Sequence, residues 1–150
     1  MEKTQKDIFY VAVQMILFVA FIAKPDFLNL NLGIGIRLLG SISFVAGMFI
    51  VLLAILQLNR NLTVFPTPKR NSNLVQSGLY KYIRHPIYTG VILVALGFGL
   101  YSESAYRLII GLLLFVLFYF KSKYEEERLK KVFPEYPEYM KKSGRFFPGI

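Results

Sequence analysis

The 150 residues are 55% hydrophobic, contain no cysteine and carry a formal net charge of +9, with a mean hydropathy of +0.47. Apolar content this high, gathered in blocks between short polar stretches, is the pattern of membrane spans in a single domain. Disulfides, thiolate nucleophiles and cysteine metal sites are excluded, and a lone histidine, His85, excludes a histidine cluster. The basic residues flank apolar blocks, so they point to topology and anionic headgroups rather than to nucleic acid.

The first block, residues 8–23, stops at Lys24-Pro25. Phe21-Ile22-Ala23 is a poor cleavage site, so the block is expected to be a retained helix rather than a signal peptide. The second block covers about residues 34–58, with Arg37 near its start and Gly40, Ser41, Ser43, Ala46 and Gly47 as small residues for close helix packing. The third, about 86–101, and the fourth, about 106–120, are short for a span unless they extend into the interfaces. Tyr88, Tyr101, Tyr106 and Tyr119 are candidate anchors, Ser102-Glu103-Ser104 reads as the turn, and a short hairpin is the alternative. The expected fold class is therefore all-α, a polytopic membrane protein of about four transmembrane helices.

Arg60, Lys69, Arg70, Lys81 and Arg84 lie between the second and third blocks. Lys121, Lys123, Arg128, Lys130, Lys131, Lys141, Lys142 and Arg145 follow the fourth, against little besides Lys24 and Arg107 in the opposite loops. The positive-inside rule places both termini and the 59–85 loop in the cytoplasm. The sequon-like Asn61-Leu62-Thr63 then faces the wrong side for glycosylation. Both polar segments able to carry chemistry share one side of the membrane.

The first of these is Gly78-Leu79-Tyr80-Lys81-Tyr82-Ile83-Arg84-His85-Pro86-Ile87-Tyr88-Thr89-Gly90. Pro86 suits the first turn of a helix and pushes His85 out of helical geometry. Arg84 and His85 thus sit at the mouth of a helix start, which favours anions. Gly90 shares a face with Pro86 and allows close approach of a ligand or a helix. Taken alone, these residues fit either a ligand mouth or simple interfacial anchoring. The second segment begins at Tyr124-Glu125-Glu126-Glu127-Arg128-Leu129, where Glu125, Arg128 and Leu129 would share a helical face. Pro134 and Pro137 break regular helix, and Phe133, Tyr136, Tyr139, Phe146 and Phe147 make the tail aromatic. A solvated helix laced with ion pairs is the plain alternative, although the aromatic residues fit a tail folded back over a site.

In this order the two segments resemble the isoprenylcysteine carboxyl methyltransferase and phospholipid methyltransferase superfamily, in a bacterial form. The carrying residues are Gly78, Tyr80, Arg84, His85, Pro86, Tyr88 and Gly90, then Glu125-Glu126, Leu129, Phe133, Tyr136 and Tyr139. Asn61-Leu62-Thr63, Pro66-Thr67-Pro68-Lys69 and Leu74-Val75 are similar as well. The resemblance implies one membrane methyltransferase domain over residues 1–150. Residues 1–58 would supply two spans, and 59–150 the loop, helical pair and tail of a cofactor pocket. It implies S-adenosyl-L-methionine as cofactor, held by Tyr80, Arg84, His85, Pro86, Tyr88, Gly90, Glu125 and Glu126. Arg128 and Glu126 become candidate catalytic residues, and Tyr136, Tyr139 and Arg145 candidate substrate contacts. A one-residue slip to Glu126-Glu127 stays open.

On that resemblance the carboxylate of the cofactor suits Arg84 and the helix start, its ammonium a glutamate and its sulfonium a tyrosine face. The acceptor would be a lipophilic or lipidated molecule entering from the bilayer, and a bacterial inner membrane the location. A carboxyl acceptor leads, with a phospholipid amine as rival. An NADPH-dependent sterol-reductase-like protein and a non-enzymatic scaffold are more distant rivals. Membrane lipids are expected partners, whereas a metal, nucleic acid or an obligate protein partner is not.

Overall fold

The computed structural model describes residues 4–23, 29–68 and 73–149, without the Arg60 side chain. Lys24, Pro25, Lys69 and Arg70, expected to mark a helix stop and the charge asymmetry, lie outside the described residues. The helices are α1 (Gln5–Ile22), α2 (Ile34–Leu58), α3 (Pro86–Tyr101), α4 (Ala105–Val132) and α5 (Tyr136–Lys142). Short 3₁₀ turns occupy Asn59–Asn61 and Gly78–Lys81. No strand longer than an isolated bridge occurs among the described residues, and the protein is an all-α membrane protein.

Each helix starts where local chemistry allows. Thr4 caps α1 in a capping box with Asp7. Pro86 opens α3 behind a non-helical His85. The Ser104 side chain accepts from Arg107 N at 3.3 Å to cap α4. Helices α1, α2 and α4 are long and apolar enough to cross a membrane. With 16 residues, α3 reaches only about 24 Å. It has no fully exposed residue from Pro86 to Leu100, because α2 packs along one side of it and α4 along another. A helix so enclosed need not match the bilayer thickness itself.

One boundary differs clearly from the sequence reading. The fourth apolar block ends near residue 120, yet α4 runs unbroken to Val132. No proline or glycine interrupts residues 121–132, and Glu, Lys, Arg and Leu are strong helix formers. α4 therefore carries the glutamate cluster out of the membrane on a rigid rod, roughly 42 Å long for its 28 residues.

The α2/α3 contact rests on paired glycines. A Cβ on Gly40 would lie 2.7 Å from the Gly97 carbonyl oxygen, and one on Gly47 2.7 Å from that of Gly90. Such backbone approach suits helices in lipid, where dispersion contact replaces the hydrophobic effect. Ser43 Oγ adds a bond to the Leu93 carbonyl at 3.1 Å. On the other flank, Ile92, Ala95, Ile110, Leu114 and Phe118 form a core that Phe146 of the tail enters, with Leu17, Phe18 and Phe21 of α1 packed against it.

Candidate cofactor site

The chain after α5 returns to the start of α3 as a short strap. Gly144 N donates to the Tyr82 carbonyl (3.0 Å), Arg84 N to that of Gly144 (2.9 Å) and His85 N to that of Arg145 (3.1 Å). Thr89 Oγ1 donates to the Phe146 carbonyl at 2.8 Å. These bonds use backbone groups that the non-helical 82–85 segment leaves without intrahelical partners. They bring the second polar segment against the first.

Between the two lies a cavity of about 100 Å³. Tyr80, Arg84, His85, Pro86, Ile87 and Tyr88 form one side. Glu125, Leu129, Phe133, Tyr136 and Tyr139 form another, and Asn61, Thr63, Pro68, Asn73, Leu74 and Val75 complete it beside Leu58.

His85, Tyr88 and Phe118 are stacked in series. The His85 and Tyr88 rings lie 5.4 Å apart at 2°, and those of Tyr88 and Phe118 4.6 Å apart at 4°. Tyr88 Oη donates to Glu125 Oε2 at 2.8 Å, and His85 Nδ1 is 3.7 Å from the same oxygen. Tyr88 is thus packed against two other rings, with the Lys121 ammonium 5.3 Å from its centroid. A cation in the cavity would meet the Glu125 carboxylate first.

Glu126 has a different role from its neighbour. Its side chain is 2% exposed. It accepts from Arg84 Nε at 2.9 Å, from Arg145 Nε at 3.2 Å and from Arg145 Nη2 at 2.5 Å. His85 Nε2 lies 3.4 Å from Glu126 Oε1, within ion-pair distance, but makes no aligned hydrogen bond. Arg84 also donates through Nη1 to the Met140 carbonyl at 3.1 Å and to that of Ser143. The Glu126 carboxylate is saturated by arginines and joins α3, α4 and the strap. In return it holds the Arg145 guanidinium above its ordinary pKa, chiefly through their hydrogen bonds.

Of the other expected site residues, Tyr136 and Tyr139 are buried in the cavity wall. Tyr139 Oη donates to the Tyr80 carbonyl. Burial pushes the Tyr139 phenol up to about 12. It also raises Tyr80 and Tyr136, with the nearby Glu125 and, for Tyr136, Glu126 adding to the effect. Glu127 points to solvent and pairs with Lys130, so the inward pair is Glu125-Glu126. Three residues lie elsewhere. Gly90 faces α2, where an added Cβ would meet Val51 Cγ2 at 2.6 Å. Arg128 does not line the cavity, and it donates to Tyr124 Oη at 3.0 and 2.6 Å. Arg145 binds Glu126 from outside the cavity wall.

The cavity suits a ligand with both charged and aromatic parts. His85 Nε2 and Tyr136 Oη are buried polar atoms without hydrogen-bond partners among the described residues, and both residues line the cavity. Such atoms call for a partner. Glu125 offers a carboxylate to an ammonium, and Leu58, Val75, Leu129 and Phe133 offer apolar walls for a ring. In charge and aromatic character these residues match the groups of S-adenosyl-L-methionine. Asn61, Thr63 and Asn73 line the site as well, and polar residues in an irregular loop carry no periodic signal that marks them in the sequence.

A family model described as phospholipid methyltransferase matches residues 36–136. The chain is also 38% identical over 83 residues to the cobalt-zinc-cadmium resistance protein CzcN of Cupriavidus metallidurans, a stretch covering 55% of this chain and 38% of that protein. It is 32% identical over 83 residues to the nickel-cobalt-cadmium resistance protein NccN of Alcaligenes xylosoxydans xylosoxydans, covering 55% and 39%. The chain thus aligns with less than two fifths of the length of either curated relative. The family match covers more than half of the chain and contains the first motif and the second as far as Tyr136, and the protein belongs to the phospholipid methyltransferase family.

Proposed function

We propose that the protein is an S-adenosyl-L-methionine-dependent methyltransferase of the membrane, acting on a lipophilic acceptor at the cytoplasmic face. The observation that carries this reading is the convergence of the Tyr80–Tyr88 and Glu125–Tyr139 motifs on one cavity with two unpartnered buried polar atoms. When bound, the cofactor supplies an activated methyl group. The protein's part is to bind, orient and exclude water, which suits a displacement from an already activated donor. Glu125, held by Tyr88 Oη, takes the ammonium. Arg84 Nη2, which makes no hydrogen bond among the described residues, is the donor left for a carboxylate. Glu126 keeps Arg84 and the strap in place and does not touch the ligand.

A carboxylate acceptor needs no base, and it is the leading reading. The family's own description favours a second reading, a phospholipid amine. An ammonium acceptor must first lose a proton to a base, a role separate from the cofactor contact given to Glu125. From the two relatives' names we take only the setting for a growth phenotype, exposure to cobalt, zinc, cadmium or nickel.

Calorimetry on the detergent-purified protein tests the reading. Wild type should bind S-adenosyl-L-methionine, and Glu125→Gln should weaken binding by about tenfold or more, as expected for loss of a charge-assisted bond. Absence of binding to wild type overturns the methyltransferase reading, and binding of NADPH in its place points to a reductase. Labelled cofactor with extracted lipids, prenyl-cysteine analogues and phosphatidylethanolamine then separates carboxyl from amine acceptors.

A further inference from the structure

Helix α1 lies outside the residues matched by the family model, and most of it faces lipid. Ile8, Phe9, Ile16 and Val19 are all exposed. Its two buried side chains are polar, Asp7 and Gln14, two turns apart on one face. A span held by apolar packing alone would bury apolar residues there and leave no carboxylate inside.

Both buried groups connect to the same loop, Asp7 directly and Gln14 through Lys121. Asp7, 0% exposed, accepts from Thr67 N at 3.1 Å and from Thr67 Oγ1 at 2.8 Å. Gln14 Oε1 accepts from Lys121 Nζ at 2.6 Å, and the same ammonium donates to the Val64 carbonyl at 2.9 Å. Lys121 is 1% exposed. Val64 and Thr67 belong to the segment whose Asn61, Thr63 and Pro68 line the cavity. Lys121 Nζ also sits 5.3 Å from the Tyr88 ring centroid, at the opposite wall. None of these groups is needed for holding or transferring a methyl group.

We propose that α1 is a positioning element of the cofactor cavity, fastening its 61–68 wall through the Asp7–Thr67 and Gln14–Lys121–Val64 contacts. An irregular loop has no ladder of its own to hold it at a fixed height. Two charge-assisted anchors on a membrane helix supply that constraint, and buried ions so placed persist only while partnered. What the cavity binds rests on the methyltransferase reading, whereas the fastening itself does not.

Two readouts separate these. In the ligand-free protein, Thr67→Val and Gln14→Leu should speed amide hydrogen exchange at Phe65 and Thr67, with exchange in α2 unchanged. With cofactor, both variants should raise the Kd and KM for S-adenosyl-L-methionine roughly tenfold, the loss expected from a bond to a charged group, while kcat at saturation stays near wild type. Phe18→Ala, which removes apolar packing of α1 on the core, should lower the melting temperature and change neither readout. Unchanged exchange in both variants overturns the proposal, as does Phe18→Ala moving both readouts as far as Thr67→Val. If wild type binds no S-adenosyl-L-methionine, the methyltransferase reading falls, and exchange alone decides the fastening.

Discussion

Glu125 and Glu126 are adjacent and chemically identical, yet successive residues of a helix point about 100° apart. One carboxylate faces the cavity with Tyr88 as donor, and the other lies among Arg84 and Arg145. The two should respond oppositely to amidation. Glu126→Gln leaves buried guanidinium groups short of a counter-charge and should destabilise the fold by about 3 kcal/mol, seen as a lower melting temperature in detergent. Glu125→Gln should leave melting nearly unchanged and act on cofactor binding. The buried phenols give a pH prediction. An unfolded tyrosine ionises near the ordinary 10.0, and Tyr139 near 12. Between these values the unfolded chain binds fewer protons than the folded one, so stability falls as pH rises. Below pH 10 the contribution is fully present. Absorbance titration should show the buried Tyr139 ionising after the exposed tyrosines or with unfolding, and an ordinary titration at this site would contradict the assignment.

Among the helices, the outcome depended on which face met which neighbour. Gly90 is part of a motif associated with cofactor binding, and here it abuts Gly47 and Val51 of α2. The small residues of α2 were legible as packing residues, but their partners Gly97 and Gly90 needed the register of two helices. Gly97→Ala would put a Cβ 2.5 Å from Phe44 N and should cost about 1–3 kcal/mol, whereas Gly35→Ala, with open space around it, should cost nothing measurable by thermal unfolding. The strap after α5 carries no periodic pattern at all. It is placed by hydrogen bonds to 82–85 and by burial of Phe146, so Phe146→Ala should cost about 3–5 kcal/mol, read in the same assay.

Across the molecule, α3 and α4 form the middle, α2 lies on α3 and α1 on α4. The cavity sits where α4 leaves the apolar region, at the end of α3 that Pro86 begins. We propose, from the charge asymmetry, that this end faces the cytoplasm. The absence of cysteine makes this directly testable with single reporters. Lys142→Cys should react with an impermeant maleimide only after the membrane is opened, and Ser102→Cys should react in intact cells. The reverse pattern would invert the topology.

The sequence by itself determined the membrane class, the helix starts at Pro86 and near Ile34, and the two motifs. These depend on hydropathy, proline geometry and local spacing, which neighbours along the chain decide. It left the end of α4 short, because a charged helical rod beyond a span has no apolar signature. Only the tertiary structure decided that Glu125 rather than Glu126 faces the cavity, and that Gly90 and Arg128 turn away from it. It alone showed that Tyr88 stacks against His85 and Phe118, and that Asp7, and Gln14 through Lys121, tie α1 to a loop distant along the chain. Each of these depends on the rotation of one helix against another, a long-range packing choice that no local pattern records.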